Sequence, residues 1–268
     1  MTSTRVCFSA ILALLVFAAP SAAVAQEQGK ISRTKLIAVN VLIGGAAGGA
    51  GELINGRSFW RGFLNGSAGG AAVFAGKCLI AQETPATNWL GRGSVAVGSS
   101  MVANAAAGRP ALSRLVIPVG PVRFYRDNRT KKTTAKLDMQ QIAVATYMEM
   151  QPTTSFDFAL SRKAGGLVFY DRGTESAVEV SGVIRVWSKD IGSTFAHELT
   201  HVAQGEFVAI AMEEPLERWL LGKVPGGKAV NRYMDLGILS PVWAGLNELI
   251  ETRERPWEKE AASFAGRC

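Results

Sequence analysis

The chain has 268 residues, of which 48% are hydrophobic and 19% are charged. This balance excludes wholesale disorder and leaves room for one large domain or two small ones. The formal net charge is +7, but positive residues form a dense cluster only at 129–132. We therefore do not expect nucleic-acid binding, which typically needs a basic stripe with interleaved aromatic residues.

The amino-terminal segment 1–25 has the pattern of a secretory signal peptide. Arg5 provides a positive start, residues 10–19 are apolar, and the small residues Ala23 and Ala25 mark a cleavage site. We expect the mature chain to begin at Gln26 and to be exported to the periplasm or the extracellular space. An uncleaved anchor is the alternative, although the apolar stretch is shorter than the ~20 residues of a spanning helix.

The cysteines are compatible with one disulfide in the mature protein. Cys7 would leave with the signal peptide, and Cys78 and Cys268 would remain. An oxidising compartment would permit a bond between these two residues. A buried free thiol at Cys78 is the alternative.

The segment 26–110 is rich in glycine and alanine and contains three long uncharged runs, at 36–51, 63–76 and 94–108. Glycines spaced three or four residues apart, such as Gly44, Gly48 and Gly51, allow helices to approach closely. Tightly packed helices of a water-exposed fold are the favoured interpretation, because the runs are short for membrane spans. A membrane-inserted hairpin or a peripheral membrane association stays open.

The segment 111–190 is predicted to be mainly β-structure because β-branched and aromatic residues recur between turn residues. Pro118 and Pro121 favour an edge position for the first strand. The predicted strands cover 116–125, 142–150, 156–160, 167–170 and 178–187, with a turn at 162–166.

The segment 191–268 is predicted to be mostly helical. Ser193 or Thr194 can cap a helix that begins near Phe195 and shows an apolar stripe on one face. Further helices are expected from Pro215, over 241–254, and from Pro256 to about Phe264, with a loop at 225–227.

A motif with a definite chemistry lies on the first of these helices, where His197, Glu198 and His201 stand in the order His-Glu-x-x-His. Histidines four residues apart project from the same helix face, so both can bind a single Zn²⁺. Glu198 follows the first histidine and can act as general base toward a water that the metal activates. Both histidines of the chain belong to this motif.

The stretch 197–204 resembles the zincin metallopeptidases, in particular extracytoplasmic and toxin-associated zincin-like domains with an HExxHxxQ helix. No histidine remains for a third ligand, so the resemblance implies a carboxylate, as in the gluzincin branch. Residues 258–261 are similar to the ExxA(D/N) helix of such families, whose first glutamate is the ligand. That role would fall on Glu258, with Glu248 and Glu260 as alternatives. Ala262 stands where those families have Asp or Asn.

The sequence thus predicts an α+β, zincin-like fold in which a small antiparallel sheet packs on the His197–His201 helix. The division is a signal peptide at 1–25, the Gly/Ala-rich segment at 26–110 and a zincin-like metallopeptidase domain at 111–268. The expected activity is zinc-dependent hydrolysis of a peptide or protein, with His197, His201 and Glu258 as metal ligands and Glu198 as base. The alternatives are a non-catalytic zincin-like binding module and a membrane-associated interaction protein.

Overall fold

The computed structural model describes residues 31–174, 176–188, 193–238 and 255–265. These residues combine α-helices with two four-stranded sheets, which confirms the predicted α+β class. The signal peptide, Glu248, Cys268 and the helix predicted at 241–254 lie outside the described residues. Cys78 is disulfide-bonded, so the prediction of a free thiol there is wrong.

The Gly/Ala-rich segment forms three helices of 22 residues each: α1 (Arg33–Ile54), α2 (Phe59–Ile80) and α3 (Pro85–Ala106). Ser32 caps α1 by accepting a hydrogen bond from the Lys35 N–H. Thr84 and Thr87 form a capping box at the start of α3, where Pro85 is the first helical residue. These local signals start the helices where backbone N–H groups have no helical partner.

Glycines set the spacing between these three helices. A Cβ at Gly44 would overlap the backbone oxygen of Gly66, and a Cβ at Gly69 would overlap that of Gly98. The helices therefore touch backbone to backbone, which is possible only where no side chain intervenes.

Helices α1 and α2 are long and apolar enough to cross a membrane, by length and composition alone. Of their most apolar windows, 39% and 44% are buried inside the protein. Core helices of water-exposed proteins pass the same test, so packed helices and membrane association both stay open as predictions.

The first sheet has the order β1-β2-β3-β8 and consists of β1 (Arg114–Val119), β2 (Val122–Asp127), β3 (Lys132–Asp138) and β8 (Met234–Asp235). Strands β1 to β3 are antiparallel, and β8 runs parallel to β3. The single strand predicted at 116–125 is wrong, because the chain reverses at Gly120, whose φ of 53° suits a turn.

The second sheet has the order β4-β5-β7-β6 and consists of β4 (Thr154–Phe156), β5 (Leu167–Asp171), β6 (Val178–Val180) and β7 (Val183–Val186). Strands β5 and β7 are parallel, so the sheets are mixed rather than purely antiparallel as predicted. The strand predicted at 178–187 divides at Ser181 and Gly182, whose φ angles of 50° and 79° give a two-residue hairpin turn.

The strand predicted at 142–150 is a helix, α4 (Met139–Met150). Of the strand predicted at 156–160, only Phe156 lies in a strand, and the helix α5 (Phe158–Ala164) covers 158–160. Asp138 caps α4 by accepting the Gln141 N–H, and Asp157 caps α5 by accepting the Leu160 N–H. Gly165 then ends α5 with a φ of 70°. These caps override the β-propensity of the short apolar runs.

The described residues of the carboxy-terminal segment are mostly helical, as predicted. It contains α6 (Ser193–Val208), a π-helical turn (Ala209–Glu213), α7 (Glu214–Leu221), α8 (Gly227–Tyr233) and α9 (Pro256–Phe264). The bounds of α9 match the predicted start at Pro256 and the predicted end near Phe264.

Helix α6 lies at the centre of the hydrophobic core. Its buried residues Phe195, Leu199 and Val202 belong to one cluster with Val73 of α2 and Val95 of α3. Strands β6 and β7 and helix α9 also pack against α6. The core thus fixes α6 from several sides, while one of its faces carries the two histidines toward α9.

Candidate metal centre

Helices α6 and α9 bring three potential metal ligands together. His197 and His201 are one turn apart on α6, and their Nε2 atoms are 3.0 Å apart. Glu258, in the first turn of α9, places its Oε2 atom 3.2 Å from each of these nitrogens. The structure thereby assembles the ligand set that the sequence predicts, and these three residues could hold a metal ion.

The spacing of the three donor atoms suits a small tetrahedral cation. For metal–ligand bonds of about 2.0–2.1 Å, the ligand atoms of a tetrahedral zinc site are about 3.3 Å apart. The observed triangle has edges of 3.0, 3.2 and 3.2 Å. The side chains of His197, His201 and Glu258 remain 24%, 12% and 28% exposed, so solvent or a ligand can reach the position between them.

Gln204 determines which nitrogen of His201 carries a proton. The Gln204 side-chain nitrogen donates to the Trp257 carbonyl oxygen at 3.1 Å and to the Glu260 carboxylate at 2.7 Å, and neither partner can donate. The Gln204 amide oxygen must therefore face His201 Nδ1, which is 2.8 Å away and donates to it. In the neutral ring this leaves the lone pair of Nε2 directed at the metal position, as a ligand histidine requires.

The electrostatics of the three ligands call for positive charge between them. Burial disfavours the protonated His201 ring, but the Glu258 carboxylate and Gln204 outweigh it and raise the pKa of His201 to about 9. The two histidines hold the pKa of the Glu258 carboxyl well below its usual range, against the opposing effect of burial. A proton supplies the positive charge in the metal-free protein, and a bound cation could supply it instead.

Glu198 lies beside this centre and is almost completely buried, with 6% of its surface exposed. Burial raises the pKa of its carboxyl. The two histidines act to lower that pKa, and the negative charge of Glu258 acts to raise it. The backbone N–H of Glu179 faces the Glu198 carboxylate and partly opposes the effect of burial on its pKa. This contact joins the predicted base to β6, the edge strand of the second sheet.

Glu179 is a residue near the centre that the sequence analysis did not single out. Its carboxylate accepts the N–H of Gly182 in the hairpin turn, and burial raises its carboxyl pKa to about 7. An antiparallel strand directs every second N–H away from its partner, and the Glu179 N–H is directed in this way toward Glu198. The sequence signal was the Ser181–Gly182 turn, which would have placed Glu179 on a separate edge strand.

The structure separates the two glutamates of α9 that compete for the third ligand position. Glu260 forms an ion pair with Lys77 at 2.7 Å and lies behind Gln204, whereas Glu258 contacts both histidines. Positions two residues apart on a helix face different directions. Among the described residues, Glu258 is the carboxylate that completes the ligand set; Glu248 lies outside them.

The arrangement offers two histidine nitrogen ligands, one carboxylate ligand, access from solvent and a buried carboxylate with a raised pKa beside them. These features are what metal-assisted acid–base chemistry requires. Comparison with protein-family models, with curated proteins and with solved structures finds no match for this chain.

Proposed function

We propose that the protein is a zinc-dependent hydrolase of zincin type, most simply a metallopeptidase. The observation that carries the proposal is the triangle of donor atoms from His197, His201 and Glu258, with Glu198 beside it. Two histidines and one carboxylate form the protein ligand set of several zinc hydrolases, which leave a further position open for chemistry. The signal-peptide pattern supports export as part of the same proposal.

Each ligand has a defined role toward the metal. His197 and His201 would bind zinc through Nε2, and Glu258 would bind it through Oε2 and reduce its net charge. Gln204 holds the His201 ring in the tautomer and orientation that this requires. Bound zinc would supply Lewis acidity, which polarises a carbonyl group and eases deprotonation of water.

Glu198 is the proposed general base. Its raised pKa brings the carboxyl closer to neutral pH, where a group accepts and returns a proton most effectively. The backbone N–H of Glu179 on β6 faces this carboxylate and favours its charged form. Glu198 would therefore take the proton of the attacking water and pass it to the leaving amine.

An extended peptide is the substrate class that the surroundings support. Strand β6 is an edge of the second sheet and packs on α6. Edge strands bind extended peptides through backbone hydrogen bonds. Because the Glu179 N–H faces Glu198, the outward Glu179 carbonyl oxygen is the group of β6 that an N–H of a substrate near the metal position would meet.

The test is hydrolysis of a quenched fluorescent peptide library by the zinc-loaded protein and by its Glu198→Gln variant. The amide keeps the size of the side chain but cannot accept the proton, so we expect a rate loss of about 10²–10⁴-fold with zinc still bound. Glu149→Gln, on the exposed surface of α4, is the matched control and should keep full activity. Undiminished hydrolysis by Glu198→Gln would refute the mechanism.

The same assay decides between an enzyme and a non-catalytic zincin-like binding module. A parent protein that binds zinc but hydrolyses no peptide in the library would favour the binding module. That alternative keeps the ligand roles of His197, His201 and Glu258 and removes the role of Glu198 as a base.

A further inference from the structure

A network of buried polar residues extends from the metal centre into the amino-terminal helices. Behind Gln204, the Glu260 carboxylate accepts hydrogen bonds from Lys77 of α2 at 2.7 Å and from Asn40 of α1 at 2.8 Å. Its other oxygen accepts the Gln204 amide. Glu260 therefore connects two distant helices to the side chain that orients His201.

The outer end of the network, formed by Lys77 and Asn40, is buried and hydrogen-bonded. Lys77 and Asn40 are only 4% and 7% exposed. Lys77 also donates to the Asn40 side-chain oxygen at 3.1 Å, and the Asn40 side-chain nitrogen donates to the Leu36 carbonyl oxygen at 2.9 Å. A buried ammonium group needs a counter-charge, and Glu260 provides it.

The direction of each hydrogen bond is fixed by the chemistry of its partners. The Lys77 ammonium can only donate and the ionised Glu260 carboxylate can only accept, so the carboxylate must receive the Gln204 N–H. That assignment leaves the Gln204 oxygen for His201 Nδ1. The charge of Lys77 thus acts on the metal ligand through two intervening side chains.

We propose that Lys77, Asn40 and Glu260 are positioning residues that set the metal affinity of the centre by orienting Gln204 and thereby His201. The inference rests on the proposed metal site and adds to it a role for the Gly/Ala-rich segment. In this arrangement a glutamine, a glutamate and a lysine from three helices orient a ligand histidine.

The test is the zinc affinity of the full mature chain, measured by competition with a chromogenic chelator. Gln204→Leu removes the acceptor of His201, and we expect a loss of about 10–100-fold, the usual effect of removing such a partner. Lys77→Met leaves the Glu260 charge unpaired, and we expect a loss of about tenfold. Arg61→Met, which removes an exposed cation on α2, is the matched control and should bind zinc like the parent.

A second readout reports on the orientation of His201 without any metal-affinity measurement. The chain has two histidines, so the ring N–H signals of ¹⁵N-histidine-labelled protein are simple to assign. The parent should show a slowly exchanging Nδ1–H for His201, because that proton is hydrogen-bonded to Gln204. The signal should be lost in Gln204→Leu and weakened in Lys77→Met.

A buried carboxylate without its lysine can prevent folding, so a double variant accompanies the single ones. Lys77→Met with Glu260→Gln leaves no unpaired charge, and a glutamine at 260 can still accept the Gln204 N–H. We expect the double variant to fold and to recover most of the zinc affinity that Lys77→Met loses. A double variant that binds zinc no better than Lys77→Met alone would contradict transmission through Glu260.

The outcomes separate this inference from the proposed function. Zinc affinities of Gln204→Leu and Lys77→Met equal to that of Arg61→Met would overturn the inference, even if the parent hydrolyses peptides. If zinc affinity falls in Gln204→Leu and Lys77→Met as predicted but the parent hydrolyses no peptide, the inference is supported and the proposed peptidase activity is refuted. A folded parent that binds no zinc would overturn both.

Discussion

Three donor atoms that meet at about van der Waals distance repel one another unless a cation or a proton lies between them. Nε2 of His197, Nε2 of His201 and Oε2 of Glu258 are in this situation. The tautomer that Gln204 imposes on His201 sharpens the conflict, because it directs a lone pair into the same space. The close approach of these three donor atoms therefore supports a cation site more strongly than the sequence motif alone does.

A pH dependence follows for the metal-free protein. The pKa of His201 rises from 6.5 to about 9 on folding, so the protonated ring stabilises the fold fully below pH 6.5, and this contribution is lost as the pH rises toward 9. Urea unfolding of the metal-free parent should show decreasing stability across this window. His201→Asn should flatten that dependence, and a metal-free parent whose stability rises between pH 6.5 and 9 would refute the assignment.

The sequence was informative about the ligands and less informative about what surrounds them. The spacing of His197 and His201 was sufficient to predict their shared face, because helix periodicity is local. The choice between Glu258 and Glu260 depended on which face of α9 meets α6, and no local pattern specifies that contact. Glu179 was missed because a strand drawn through the Ser181–Gly182 turn concealed the edge strand on which it lies.

At the scale of elements, the position of α6 depends on helices that the sequence motif does not include. Glycines allow α1 and α2 to meet closely, and this contact places Asn40 beside Lys77. Gly70 is part of the contact, since a Cβ there would overlap the Asn40 carbonyl oxygen. Helix spacing and metal-ligand orientation are therefore coupled in this fold.

Gly70→Ala should accordingly lower both stability and zinc affinity. We expect a loss of about 1–3 kcal/mol in the free energy of unfolding, because neither backbone can yield without moving its helix. Gly93→Ala is the control, because a Cβ at that position of α3 meets no atom within 4 Å. It should raise stability by up to about 1 kcal/mol through helix propensity, and equal effects of the two substitutions in chemical denaturation would contradict the packing argument.

The wrongly assigned elements share a physical cause. Residues 142–150 and 156–160 are short apolar runs whose composition suits a strand. Asp138, however, caps the helix that contains the first run, and Asp157 caps a helix that begins inside the second. Helix α9 was predicted well because Pro256 marks its start unambiguously. Short segments are decided by capping and by tertiary contacts, which a composition argument does not weigh.

At the scale of the whole molecule, the segments on either side of residue 110 contribute to one core. Val73 and Val95 from the first segment are buried with Phe195 and Leu199 from the second. The Lys77–Glu260 ion pair connects the same two segments beneath the metal centre. The predicted division at residue 110 therefore marks a change in composition. Whether the two segments can fold separately is a question for experiment.

We expect the fragment 111–268 to be unable to fold alone. Removing α1 to α3 exposes the apolar face of α6 and leaves Glu260 without Lys77 and Asn40, and both changes oppose folding. Circular dichroism during heating should show no cooperative transition for this fragment and a clear one for residues 26–268. A fragment that melts cooperatively and binds zinc as tightly as the longer chain would contradict this expectation. It would also contradict the proposed role of Lys77 in orienting Gln204 and His201.

The most direct measurement is elemental analysis of zinc in the purified mature protein, beside His201→Ala, Glu258→Gln and the control Glu149→Gln. We expect one zinc ion per chain in the parent and in Glu149→Gln, and its loss in the two ligand variants while they remain folded. No zinc in a folded parent after reconstitution, or full zinc content in Glu258→Gln, would contradict the assignment of this centre.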